Sequence, residues 1–307
     1  VNLDLELLQR FEAGFNPRDI EASAIPAQLL GYGEISAIFK IEGNADVACK
    51  CMPLFDSFAA AETYSSLYAE YCGLLERAGL AALDTGTAIV DIPGRPVVLY
   101  IGQRAFPPGR IAHRLLHTLD PEQVPMLIRR IVSTQAGIWE FNRNCPPGLE
   151  IVMDGQISNW VLEGDVHGGT IYYIDTSTPF VRKQGEHQID PELLLRAAPP
   201  ALRWVLRRLF VDEVMARYYD VRKNMTDFAA NLYKKQRPDL IPMATDIINS
   251  LLPADVPPLT RADIDRYYRE DRFIWSLFLA MRRMDRFITT KILRRRYEFV
   301  LPGRIRR

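Results

Sequence analysis

Asp154-Gly155-Gln156-Ile157-Ser158-Asn159 sets a carboxylate and a carboxamide five residues apart, and Ile171-Tyr172-Tyr173-Ile174-Asp175 adds a second carboxylate sixteen residues after Asn159. Residues 151–153, 160–162 and 170–174 read as short strands, the last two joined through Gly168-Gly169, so the hexapeptide falls on a loop. Oxygen ligands from Asn159 and Asp175 suit Mg²⁺, which completes its shell with water and substrate phosphates. A separate carboxylate, Asp154, can accept or orient a hydroxyl as it attacks a phosphoryl group. Taken singly, Asp154-Gly155 also reads as a hairpin turn and Asp175 as a cap for the next segment.

Working back from this loop, residues 27–30 and 35–42 read as strands flanking Gly31-Tyr32-Gly33, and Gly43-Asn44 turns the chain into a third strand at 46–52. Gly31 and Gly33 at a hairpin tip would let backbone N–H groups approach phosphate oxygens with no Cβ in the way, although such a pair is also simply a turn. A dinucleotide fingerprint is excluded, because a strand and not a helix follows. Val47-Ala48-Cys49-Lys50 matches the Val-Ala-x-Lys pattern that sets an ammonium against nucleotide phosphates. Lys50 interrupts an apolar strand and calls for a carboxylate partner. The helix expected at 58–78, capped by Asp56 or Ser57 and ended by Gly79, offers Glu62 or Glu70, with Glu70 preferred at mid-helix. Strands at 87–91 and 96–101 follow, joined by Pro93-Gly94.

Before the first strand, Leu5, Leu8, Phe11 and Phe15 recur at helical spacing. After residue 102 the pattern turns helical. Asp120-Pro121 opens a helix to about residue 142, several helices fill 190–250, residues 253–258 form a linker, and Thr260 with Asp263 makes a capping box for a last helical segment. Tyr218-Tyr219-Asp220 and Arg237-Pro238-Asp239 read as helix ends, or as lining for a substrate pocket. The expected fold is therefore α+β in two lobes. Residues 1–102 form an amphipathic helix, a five-stranded antiparallel sheet and one helix; residues 103–307 form a larger helical lobe carrying the loop region 151–175.

Hairpin glycines, strand lysine, helix glutamate, Asp-x₄-Asn and strand-end Asp occur in the order of the protein-kinase-like superfamily. Over about residues 25–180 the chain resembles that superfamily, nearest its aminoglycoside and choline phosphotransferase branch. The resemblance implies ATP and Mg²⁺ as cofactors and the hydroxyl of a small molecule or lipid-linked compound as acceptor. It would make Asp154 the catalytic base and Asn159 and Asp175 the metal ligands. Gly31, Gly33 and Lys50 would hold phosphates, with Glu70 holding Lys50, and the backbone near Tyr100 and Gln103 would hold adenine.

Several departures stand beside these matches. Ser36 occupies a common glycine position, Val152 and Met153 replace the usual His-Arg or His-Gly, and Gln156 stands where a Lys or His often assists transfer. Thr176-Ser177 follow Asp175, and Ala198-Pro199-Pro200 lacks the Glu of a protein-kinase activation segment. A regulated protein kinase is thereby disfavoured. A nucleotide-binding pseudokinase-type module remains an alternative, and a helical scaffold docking through a basic C-terminus is another.

The 38 Lys and Arg balance 38 Asp and Glu, so no whole-molecule field favours nucleic acid. Four cysteines and four histidines show no zinc-ligand spacing, and reduced thiols in a cytoplasmic protein are expected. No signal peptide or membrane span is read, and residues 273–281 are expected as a buried helix. Tyr267, Trp275, Phe278 and Phe287 fall at core spacing. Residues 281–307 hold ten Lys or Arg against two acids, which reads as a solvated helix face or as a contact with an anionic membrane surface. Oligomeric state has no sequence signal.

Overall fold

The computed structural model describes residues 1–33, 36–196, 203, 207 and 212–301. Strands β1 (Ala27–Tyr32), β2 (Ala37–Ile41), β3 (Val47–Phe55), β4 (Thr85–Val90) and β5 (Val97–Arg104) form one antiparallel sheet in the order β1-β2-β3-β5-β4. Strand parity sorts its side chains. Cys49, Cys51, Val98 and Tyr100 face outward, where helix α1 (Leu5–Gly14) lays Leu8 and Phe11 on them. Met52, Leu99 and Ile101 face inward onto Tyr64 and Tyr68 of helix α2 (Phe58–Arg77). Lys50 and Gln103 share that inward parity.

Helix α2 starts where the Ser57 hydroxyl accepts the Ala60 N–H, and it is ended by Gly79, whose φ of +94 suits a residue without Cβ. The C-terminal part is mostly helical: α3 (Ala112–Thr118), α4 (Val124–Asn144), α5 (Pro191–Arg196), α6 (Asp212–Tyr218), α7 (Val221–Lys234), α8 (Ile241–Asn249) and α9 (Arg261–Phe287). Short strands β6 (Leu149–Ile151), β7 (Trp160–Glu163), β8 (Thr170–Tyr173) and β9 (Val181–Lys183) interrupt it, β7 pairing with β8 and β6 with β9. One core of α3, α4, α7 and α8 packs around Ile151, Met153, Ile157 and Trp160, which fixes the loop between β6 and β7. The fold class is the expected α+β arrangement, an antiparallel sheet followed by a helical part.

Several expectations shift. Gly31 lies inside β1 at an irregularity in its pairing with β2, and the turn is closed one step later by Gly33 N–H donating to the Ser36 carbonyl. The helix after Asp120-Pro121 begins at Val124, because residues 121–123 form a turn first. Leu5 is exposed, leaving Leu8, Phe11 and Phe15 to cover the sheet. The capping box forms as expected, with Thr260 and Asp263 exchanging side-chain and backbone bonds at the start of α9. Residues 273–281 are not buried throughout: Phe273 is 69% exposed and Leu277 45%. Phe287 is exposed too, because the second half of α9 runs beyond the helices that cover its first half. Among the described residues no helix is long and apolar enough to cross a membrane. Ala198-Pro199-Pro200, Ile35 and Arg304, Arg306 and Arg307 lie outside the described residues.

The last described residues return to the sheet. Arg296 donates to the Phe15 carbonyl at 2.8 Å, and Arg95 reaches Glu298 at 3.1 Å while also binding the buried Glu12 carboxylate. The Tyr100 hydroxyl donates to the same Glu12.

Candidate functional site

Lys50 leaves β3 toward the cleft between the sheet and the helical part. Its ammonium is 2.6 Å from Asp175 Oδ1 and 2.6 Å from Ser177 Oγ, with the residue 8% exposed. A lysine this buried needs an anion, and Asp175 supplies it. Glu70 does not: it pairs with Lys183 at 2.7 Å on an open face of α2, both about 40% exposed. The reason is helical phase. The α2 face turned to the cleft carries Tyr64, Tyr68 and Tyr71, spaced i, i+4, i+7.

Those three hydroxyls grip the segments that carry the acidic residues. Tyr64 donates to the Ser177 carbonyl at 2.7 Å, Tyr71 to the Val152 carbonyl at 2.6 Å, and Tyr68 shares a bond of 3.1 Å with Thr176 Oγ1. Gln103 completes the clamp, its amide donating to Thr176 Oγ1 at 2.7 Å. Burial raises the phenol pKa of all three tyrosines, so each stays a neutral donor.

The Asp154 loop is built as rigidly. Asn159 donates to the Asp154 carbonyl at 3.0 Å and lies 3.4 Å from Asp175 Oδ2, which brings the three expected acid and amide groups together. The Gly155 carbonyl accepts from Gln135 at 3.0 Å and from the Trp160 indole at 3.1 Å. A Cβ on Gly155 would sit 2.0 Å from Gln135 Oε1, so this glycine is explained by close packing on α4 and not by a hairpin. Asn224 of α7 donates to the Met153 carbonyl, and Asn231 of α7 donates to Gln156 Oε1 at 2.7 Å. Gln156 is thus turned into the helical part.

Burial, and then the neighbouring Asp227 and Asp175, push the Asp154 carboxyl well above the usual range. Asp227, on α7, is also raised, first by burial; Lys234 opposes that shift. Three carboxylates thus lie together, with Lys50 against Asp175 and Lys234 against Asp227, an arrangement that favours added positive charge. Among the described residues no three His, Cys, Asp or Glu side chains could hold a metal alone. Asp175 is the hard oxygen donor present, and Asn159 turns its amide nitrogen to it, so a rotation of that carboxamide would set its oxygen beside Asp175 for a Mg²⁺ ion that draws its remaining ligands from water and phosphate.

Tyr100 and Gln103 divide by parity. Tyr100 points away from the cleft to Glu12, and Gln103 points into it. Their backbone cannot serve as expected, because β5 pairs with β3 and β4 on both sides over Leu99 to Gln103 and its N–H and C=O groups are committed to the two ladders. The first backbone past the sheet is Ala105-Phe106-Pro107. There Arg104 lies 4.4 Å from the Phe106 ring and 5.3 Å from the Tyr172 ring and pairs with Glu163 at 2.9 Å. Gly33 remains near the hairpin turn, and an added Cβ there would meet Ser36 Oγ at 2.7 Å. Tyr64, Tyr68, Ser177 and Asp227 join the site without a motif in the sequence that marks them. The i, i+4 tyrosines were the available signal for the first two.

Comparison with known proteins gives a narrow result. No curated protein sequence matches the chain. A solved structure titled "WaaP in complex with acyl carrier protein" is similar at 10% identity and a TM-score of 0.36, over 87% of this chain and 98% of that one. A family model matches residues 18–286, and on that extent the chain belongs to DUF6206, described as a family of unknown function.

Proposed function

We propose that this protein is an ATP- and Mg²⁺-dependent phosphotransferase acting on the hydroxyl of a small molecule or lipid-linked acceptor. The observation that carries the reading is the junction of Lys50 with Asp175 across the cleft, with Asn159 and Asp154 fixed beside it. In this reading Lys50 binds phosphate oxygens, and Asn159 with Asp175 would hold the cation. Bound Mg²⁺ would neutralise charge on the phosphates. Asp154 orients the acceptor hydroxyl and takes its proton as the new O–P bond forms and the bond to the departing ADP breaks. The raised pKa of Asp154 makes it a stronger base than a surface carboxylate once it is ionised.

A second reading, a nucleotide-binding module without transfer, is favoured by one feature. Val152 and Met153 are buried apolar side chains, and Gln156 is tied to Asn231, so none of the three is turned to a transferring phosphate.

A melting-temperature series with ATP, GTP and ADP, each with and without Mg²⁺, tests binding; stabilisation that requires both nucleotide and metal is expected. Turnover is then compared with Asp154→Ala, which should lose at least about a hundredfold of ATP consumption while keeping the thermal shift. No shift with any nucleotide would remove both readings. A shift with no turnover in the native chain would leave only the second.

A further inference from the structure

Helix α9 changes character along its length. Its first half is covered by α7, with Ile264 buried and Tyr268 stacked on Tyr233 at 4.5 Å. In the second half only the inner face is covered: Leu279 and Arg282 are buried, and the Arg282 guanidinium lies 5.1 Å from the Phe299 ring. The outer face carries Phe273, Leu277, Met284 and Phe287, all exposed, and past the end of α9 Ile288 and then Ile292, at 64% exposure, continue it. These positions follow the 3.6-residue period, so they form one apolar stripe on the surface. Single exposed apolar residues are ordinary; a contiguous stripe of this length marks a surface that is covered by something.

Charge identifies the cover. Residues 272–296 contain eight Lys or Arg and one acid, Asp285. Arg272, Lys291, Arg294 and Arg295 are exposed on the same segment of chain, the last two just past its helical part. A second copy of the chain would bring the same cations face to face, since a twofold contact joins a patch to itself. An anionic lipid surface satisfies both halves of the pattern. The apolar side chains enter the acyl boundary, and the guanidinium and ammonium groups stay at the head groups. We propose that the outer face of α9 and its continuation to Arg295 dock the protein in plane on an anionic membrane. The helix lies on the bilayer and does not span it. This docking is independent of the nucleotide reading, since none of these residues lies in the cleft.

The test is flotation of the full chain with vesicles of phosphatidylcholine, and with vesicles in which about one third is phosphatidylglycerol. Binding to the anionic vesicles alone, weakened by added salt, is expected. Phe273→Glu with Phe287→Glu should lower the bound fraction at least about tenfold. Arg294→Gln with Arg295→Gln should lower it roughly thirtyfold at low salt, at about one head-group attraction per cation. All four positions are exposed, so both double variants keep the fold. Equal binding to neutral vesicles, or none to anionic ones, overturns the proposal. So does a concentration-dependent dimer that Phe273→Glu dissolves, because the stripe would then belong to a second copy.

Discussion

An ammonium on a central strand is stable only where an anion meets it, and for Lys50 the anion arrives from 125 residues downstream. The identity of that anion could not be read from the sequence. Val47-Ala48-Cys49-Lys50 fixes the lysine's strand and parity, but choosing among Glu62, Glu70 and Asp175 requires the rotation of α2 about its axis. Three buried tyrosines set that rotation. Asp227 is also hidden from sequence, because its weight comes from burial beside Asp154. Its folded pKa is raised above the ordinary 3.8, so the stability it contributes is full below that pH and is lost as pH rises through the folded value. Asp227→Asn should therefore raise the melting temperature at pH 7 by about 2 °C or more, the gain vanishing below pH 3.8. Calorimetry at both pH values checks this. A lower melting temperature at pH 7 would mean that the pairing with Lys234 outweighs the burial.

At the scale of elements, caps and turns were legible because their chemistry is local. Ser57 and Gly79 bound α2, and Thr260 with Asp263 opens α9, each through bonds made within three or four residues. Burial along α9 was not legible: a helical period identifies a face, and only the placement of neighbouring helices decides whether that face is covered. Helix α2 allows a paired experiment. Gly79 holds φ at +94, where an L side chain is strained, so Gly79→Ala should cost about 1 kcal/mol. Gly73, within the helix, has nothing within 4 Å of an added Cβ, so Gly73→Ala should stabilise by about 0.5–1 kcal/mol. Urea midpoints moving in opposite directions at constant slope would bear this out; a shared direction would place the end of α2 elsewhere.

Across the whole molecule, acid sensitivity has an identifiable source in His113. Burial first, and then Lys235 and Arg114, lower its pKa from 6.5 to about 4. A depressed folded pKa means that the stability from neutral His113 is present above pH 6.5 and is lost as pH falls toward about 4. His113→Gln should flatten the stability profile between those values, measured by denaturant titration at several pH values. An unchanged slope would assign the acid loss to other groups.

The meeting of Glu12, Arg95 and Glu298 has a consequence for synthesis. The outer face of the sheet is finished by residues 296–301, with Arg296 reaching Phe15 across 281 positions of sequence. Until residues 296–301 have been made, Arg95 and Tyr100 hold Glu12 without the second carboxylate of Glu298, and the apolar surface beside them waits uncovered. A chain interrupted before residue 296 therefore keeps every cleft residue but leaves this part of the sheet open, a substrate for chaperones and proteases.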